Sequence, residues 1–176
     1  LPSNEIPSTT ECCMFADDLK IFSPIFKFSD YENLQKAVDK IVEWSSKWQL
    51  KLSLDKCTVL HIGNKNMKYS YYLYGEELSE SQSTKDLGVL MSSDGKFSKH
   101  IFEIVRKSHS LCIQIHKAFY SKDKQLLMKA FTTYVRPILE YCSVVWSPFY
   151  LKDIILIEKV QRRFNKRLFV SSNLTY

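Results

Sequence analysis

The sequence predicts an α+β chain: short antiparallel strands with one helix in the first half, then a small helical bundle. Three observations carry this expectation. Up to Gly95, apolar runs of strand length alternate with turn residues, whereas after Gly95 apolar residues recur every three or four positions. The charge changes sign at the same place: residues 1–95 hold 10 Lys and Arg against 14 Asp and Glu, net −4, and residues 96–176 hold 15 against 5, net +10. With 45% hydrophobic and 14% aromatic residues in 176, the chain has ample material for a core. Two domains are therefore expected, 1–95 and 96–176.

In the first half, residues 12–16 (CCMFA) and 19–23 (LKIFS) read as strands separated only by Asp17 and Asp18. Two residues are the length of a tight hairpin loop, and Asp tolerates the backbone such a turn needs, so both carboxylates are expected at a hairpin tip. Ser29 followed by Glu32 has the spacing of a capping box. Tyr31, Leu34, Val38, Ile41, Trp44 and Trp48 then mark one buried helical face. Leu50, Leu52 and Leu54 alternate in strand fashion, CTVLHIG is a second extended run, and Lys56 lies at the break between them. YSYYLYGEEL and KDLGVLM read as further strands around a polar connection, bounded by Gly75 and Gly88.

In the second half, Ile101, Ile104, Val105, Leu111, Cys112, Ile115 and Phe119 predict one amphipathic helix. Leu126, Leu127, Ala130, Phe131, Tyr134 and Val135 predict a second, which Pro137 kinks or ends. Ile154, Ile157, Val160, Phe164 and Leu168 predict a third after Pro148. Trp146 reads as core, and Arg136 with Glu140 one turn later as a structural ion pair.

Several function classes drop out. The five cysteines are odd in number and lack CxxC spacing, which argues against a disulfide framework or a zinc ribbon and for a reducing, intracellular setting, nuclear or cytoplasmic. No run approaches the ~20 apolar residues of a membrane helix, and no signal-peptide pattern opens the chain, so neither a membrane association nor secretion is expected. His109, Cys112 and His116 could share a helical face, a spacing that reads as core and surface rather than metal. A net +10 in one half points to a polyanionic partner, nucleic acid above all.

Adjacent aspartates are by themselves most often a solvated turn, but between apolar strands, with a lysine at the end of a later extended segment, they form a pattern suited to metal-assisted chemistry at phosphates. Carboxylate oxygens are hard ligands for Mg²⁺, and a lysine near a leaving pyrophosphate can donate a proton. "FADDLKIF", "LQKAVDKIVEWSSKWQLKLSLDKCTVLHIG", "STKDLGVLMSSDGKFSKHI", "YVRPILEYCSVVW" and "IEKVQRRFNKRL" together resemble the C-terminal part of a reverse transcriptase from non-LTR retrotransposons, in order over residues 12–168.

The resemblance implies the end of a polymerase palm over residues 1–95 and a basic helical thumb over 96–176. It implies that Asp17 is a catalytic Mg²⁺ ligand, Asp18 a supporting one and Lys56 the proton donor, and that Leu87, Gly88 and Val89 lie in the hairpin that grips the primer. Lys99, Arg106, Lys107, Lys159, Arg162, Arg163, Lys166 and Arg167 become the thumb residues that hold an RNA template and DNA primer duplex by its phosphates. Ser53 stands where that family usually has Asn. The family's other metal-binding aspartate and its nucleotide-holding segments lie ahead of the aromatic-Ala-Asp-Asp motif, where this sequence has only LPSNEIPSTTECCM. The chain also begins with Leu, so the expectation is that its start was lost by processing or trimming or that it is a piece of a longer reading frame, and the isolated chain is expected not to polymerise. The readings from other classes are a non-catalytic nucleic-acid-binding module and a vestigial interaction protein.

Overall fold

A computed structural model describes residues 9–119 and 123–172. The chain is mixed α and β and divides into two compact units, Leu1–Thr84 and Lys85–Tyr176.

The first unit opens on a hairpin. Strands β1 (Glu11–Phe15) and β2 (Asp18–Phe22) pair antiparallel from Glu11 opposite Phe22 to Phe15 opposite Asp18. The loop is therefore Ala16-Asp17, one residue earlier than the alternation of apolar residues indicates, and Asp18 begins the returning strand. Ala16 takes the left-handed conformation at φ 53°, a position that glycine fills without strain.

Helix α1 (Phe28–Lys47) starts ahead of the predicted Ser29–Glu32 box. Asp30 does the capping: its Oδ2 accepts from the Phe26 and Lys27 amides, both at 2.9 Å, and these bonds lower its pKa. Ala37, Ile41 and Ser45 are the buried positions of the helix. At its other end Gln49 turns left-handed (φ 56°), and the Leu50 amide reaches back to the Ser45 carbonyl at 2.8 Å. That reversal closes the helix, and it explains why the expected Leu50–Leu54 strand does not form: Leu50 belongs to the helix terminus.

A 3₁₀ turn over Leu54–Lys56 follows, then two short strand pairings. Strand β3 (Thr58–Val59) runs parallel to β6 (Ser79–Glu80), while β4 (Tyr72–Leu73) and β5 (Glu76–Glu77) form a hairpin about Tyr74-Gly75. The run YSYYLYGEEL is thus a hairpin and not one strand, because Tyr74 and Gly75 both adopt positive φ. On α1, the Gln35 side chain bonds the backbone of Tyr72 twice, donating to its carbonyl and accepting from its amide, each at 2.9 Å. Tyr31, Tyr69 and Tyr71 stack around this junction, and burial pushes the Tyr71 hydroxyl up to about 12.

Strands β7 (Ser83–Asp86) and β8 (Val89–Ser92) make a further hairpin about Leu87-Gly88. The second unit continues with α2 (Ser98–Ala118), α3 (Lys124–Ala130), a π-helical turn over Phe131–Val135, α4 (Arg136–Glu140), α5 (Ser143–Trp146) and α6 (Leu151–Ser172). The π turn shows how the chain accommodates Pro137. The Arg136 amide bonds to the Phe131 carbonyl five residues back, a wider turn that makes room for a ring which cannot donate and crowds the preceding turn.

One core joins these helices. Ile101, Val105 and Cys112 of α2 meet Leu127 of α3, Phe131 of the π turn and Val160 and Phe164 of α6, with Val89 of β8 and Trp146 included. The sharing of Val89 is why the division between units falls before Lys85 and not at Gly95, where composition changes.

Candidate nucleic-acid interface

In the first unit, Asp17 and Asp18 are exposed at and beside the β1–β2 turn, and neither pairs with a cation among the described residues. The two carboxylates are tolerated because a turn leaves them in water, where mutual repulsion is screened. Met14 and Phe15 beside them are also exposed, and the hairpin has no third strand among the described residues, so both of its edges lack a strand neighbour there. Lys56 is exposed at the end of the 3₁₀ turn. As a metal site the aspartate pair is incomplete: no group of three or more His, Cys, Asp or Glu able to hold an ion exists among the described residues.

In the second unit, the expected primer-gripping residues Leu87, Gly88 and Val89 divide by role. Leu87 (φ 44°) and Gly88 (φ 90°) form the turn, with the Leu87 side chain exposed, while Val89 is core. Tyr141 holds this turn: its hydroxyl donates to the Leu87 carbonyl at 3.0 Å, and a Cβ on Gly88 would lie 3.2 Å from its ring. The Leu90 amide donates to His100 Nδ1 at 3.2 Å, and the His100 ring stands edge-on to Trp146 at 5.4 Å. Trp146 donates in turn to the Tyr141 carbonyl at 2.7 Å. Tyr141, His100 and Trp146 thus fix the hairpin to the bundle. Sequence periodicity missed Tyr141 and His100, because a clamp of this kind depends on contacts distant in sequence and leaves no spacing signal.

The basic residues lie on exposed faces of two packed helices. Lys99, Arg106 and Lys107 are exposed on α2, and Lys159, Arg162, Arg163, Lys166 and Arg167 on α6. Positions 159, 163 and 166 share one face of α6 by helical spacing, with 167 beside them. Arg162 is partly neutralised by Glu158 at 2.6 Å. Arg163 and Arg167 are close enough to α2 that, after burial, their charges are the next causes that hold the His109 pKa below its ordinary value. The charges of Arg163 and Arg167 thus reach His109 across the packing of α6 on α2. Burial likewise pushes the Cys112 thiol up to about 11, and the His116 ring packs on Phe164 at 4.8 Å, so the His109–Cys112–His116 face is core and seam. The expected Arg136–Glu140 pair is present at 2.7 Å.

No helix among the described residues is long and apolar enough to cross a membrane. No family profile matches the chain, and no solved structure matches it. The chain is similar to an uncharacterized protein of Caenorhabditis elegans, 26% identical over 90 residues, which is 51% of this chain and 46% of that protein. The matched region thus spans less than half of that relative.

Proposed function

We propose that this chain is the palm end and thumb of an RNA-directed DNA polymerase of the non-LTR retrotransposon kind, and that its own contribution is to hold a template–primer duplex by the phosphates. The observation that carries the reading is the set of exposed cations on α2 and α6, two helices that pack together, with Arg163 and Arg167 of α6 near enough to His109 of α2 to disfavour its charge. Exposed guanidinium and ammonium groups on a rigid helix pair give affinity without base readout, and binding through them weakens as salt rises.

The exposed Asp17 at a tight hairpin tip supports the polymerase half of the reading. Mg²⁺ would supply charge neutralisation at the transferring phosphate, but Asp17 and Asp18 alone do not complete its coordination, so the ion needs ligands beyond this pair. Lys56 stays the proposed proton donor. The isolated chain is accordingly a binder without polymerase activity.

The test is titration of a labelled RNA–DNA hybrid with the full chain at several salt concentrations. Affinity is expected to fall linearly with salt on logarithmic axes. Arg163→Gln with Arg167→Gln is expected to make that line shallower, by about one unit of slope for each phosphate left without its cation. Salt-independent binding, or a slope unmoved by the double variant, defeats the reading. A non-catalytic binding module shares this surface. In a longer chain that polymerises, loss of synthesis on Asp17→Ala with binding unchanged separates the two.

A further inference from the structure

Beyond the helical faces, the second unit carries a cleft of about 230 Å³ where the start of α2 meets the segment between α5 and α6. Phe97, Trp146, Phe149 and Tyr150 line it, so four aromatic rings contribute to its wall. Trp146 is core, but Phe149 is 90% exposed although it carries a large apolar ring. Its ring lies nearly perpendicular to Tyr150 with centroids 5.5 Å apart, and its exposure leaves ring surface open to solvent or a ligand. Nothing in the packing of the bundle requires an aromatic there.

The polar groups at the cleft give it a chemical preference. Asp153, only 3% exposed, lines the cleft; its Oδ2 accepts from the Ser98 hydroxyl at 2.6 Å, and Oδ1 remains as an acceptor. Lys96 and Lys152 stand over the Tyr150 ring, 5.6 and 5.3 Å from its centroid. An aromatic box with a carboxylate would by itself suit a cationic ligand. Two lysines at the same ring oppose that choice and attract an anion. A ligand that satisfies all three features has a flat ring to stack, an N–H donor for the carboxylate and negative charge for the lysines.

We infer that this cleft holds one unpaired base of a single-stranded nucleic acid, stacked on Phe149, with an N–H of the base edge donated to Asp153 and the flanking phosphates beside Lys96 and Lys152. Base stacking on an exposed aromatic between cations is the usual chemistry of single-strand binding, and a buried carboxylate favours a base such as cytosine that offers an exocyclic amine. This site uses none of the basic residues assigned to duplex binding on α2 and α6.

The experiment is fluorescence anisotropy of the full chain with labelled oligocytidylate and, in parallel, with the RNA–DNA hybrid. Phe149→Ala removes an exposed ring and no charge. It is expected to weaken oligocytidylate binding by about 5- to 100-fold, to leave its salt slope unchanged and to leave hybrid binding intact; Phe149→Tyr is expected to restore affinity. Unchanged single-strand affinity in Phe149→Ala overturns the inference. So does binding of the hybrid without binding of the single strand, a result that leaves the duplex reading standing. Loss of hybrid binding with the Phe149 effect retained defeats only the duplex reading.

Discussion

Two hairpins in this chain close on the same local geometry, a left-handed residue followed by glycine, and differ in what surrounds them. At Tyr74-Gly75 in the first unit, a Cβ on the glycine would meet nothing within 4 Å. At Leu87-Gly88 in the second, it would press on the Tyr141 ring, which also holds the Leu87 carbonyl. The same contrast runs through the units as wholes. Among the described residues the first buries four apolar side chains, Ala37, Ile41, Tyr71 and Leu73, and its sheets are two-stranded. The second gathers thirteen into one cluster. Two-stranded hairpins are marginal without a core to lie on, so turn chemistry shapes the first unit and burial stabilises the second.

The strongest way to break this comparison is to remove core volume. Phe164, 1% exposed and stacked on Phe131 at 4.7 Å, is expected to cost about 3–5 kcal/mol as Phe164→Ala. Ile41→Val in α1 is expected to cost about 0.5–1.5 kcal/mol. Urea unfolding followed by hydrogen exchange assigns each loss to its unit, and an equal loss from the two substitutions would remove the distinction between them.

A finer comparison sets the glycines against each other. Alanine at either position meets the left-handed backbone, a penalty of about 1–2 kcal/mol. Gly88→Ala is expected to exceed Gly75→Ala, because only there must a neighbouring ring move. Equal shifts in the urea midpoint would show that Tyr141 yields freely and is no clamp.

These contrasts also mark how far the sequence was legible. Helical periodicity located α1, α2 and α6 and most of the buried positions of α2 and α6, since a face buried along a long helix repeats regularly. In α1 only Ile41 of the six expected positions is buried, the other buried positions being Ala37 and Ser45, and Trp48 is exposed beyond the helix end. The strands were read less well. Leu50, Leu52 and Leu54 alternate as a strand would, but alternation over a few residues cannot reveal that Gln49 will turn back to close a helix. Asp17 and Asp18 were placed at a hairpin, with the turn off by one residue because Ala16 takes a backbone angle its side chain disfavours. The basic residues of α2 and α6 were identifiable by charge alone. The nearness of Arg163 and Arg167 to His109 was not, since it depends on how two distant helices pack.

The smallest expected effect is pH dependence confined to the second unit. Burial holds the His100 pKa below its ordinary 6.5, and the ring accepts from the Leu90 amide as a neutral base. Below 6.5 the unfolded chain takes up the proton first. The stability that His100 contributes is therefore complete above about 6.5 and is lost as pH falls through the lower, folded value. Thermal melts between neutral pH and about pH 5 should show the second unit weakening, with a shallower decline in His100→Gln. A first unit that weakens equally would place the titration elsewhere.

Gln35 carries a consequence of another kind. By donating to and accepting from the Tyr72 backbone, its amide does for β4 what a neighbouring strand's peptide group would do. A strand whose donor and acceptor are already engaged offers no template to an incoming chain. In a unit made of short, sparsely covered strands, one glutamine on a helix thus closes the edge of β4 at Tyr72 to an incoming strand.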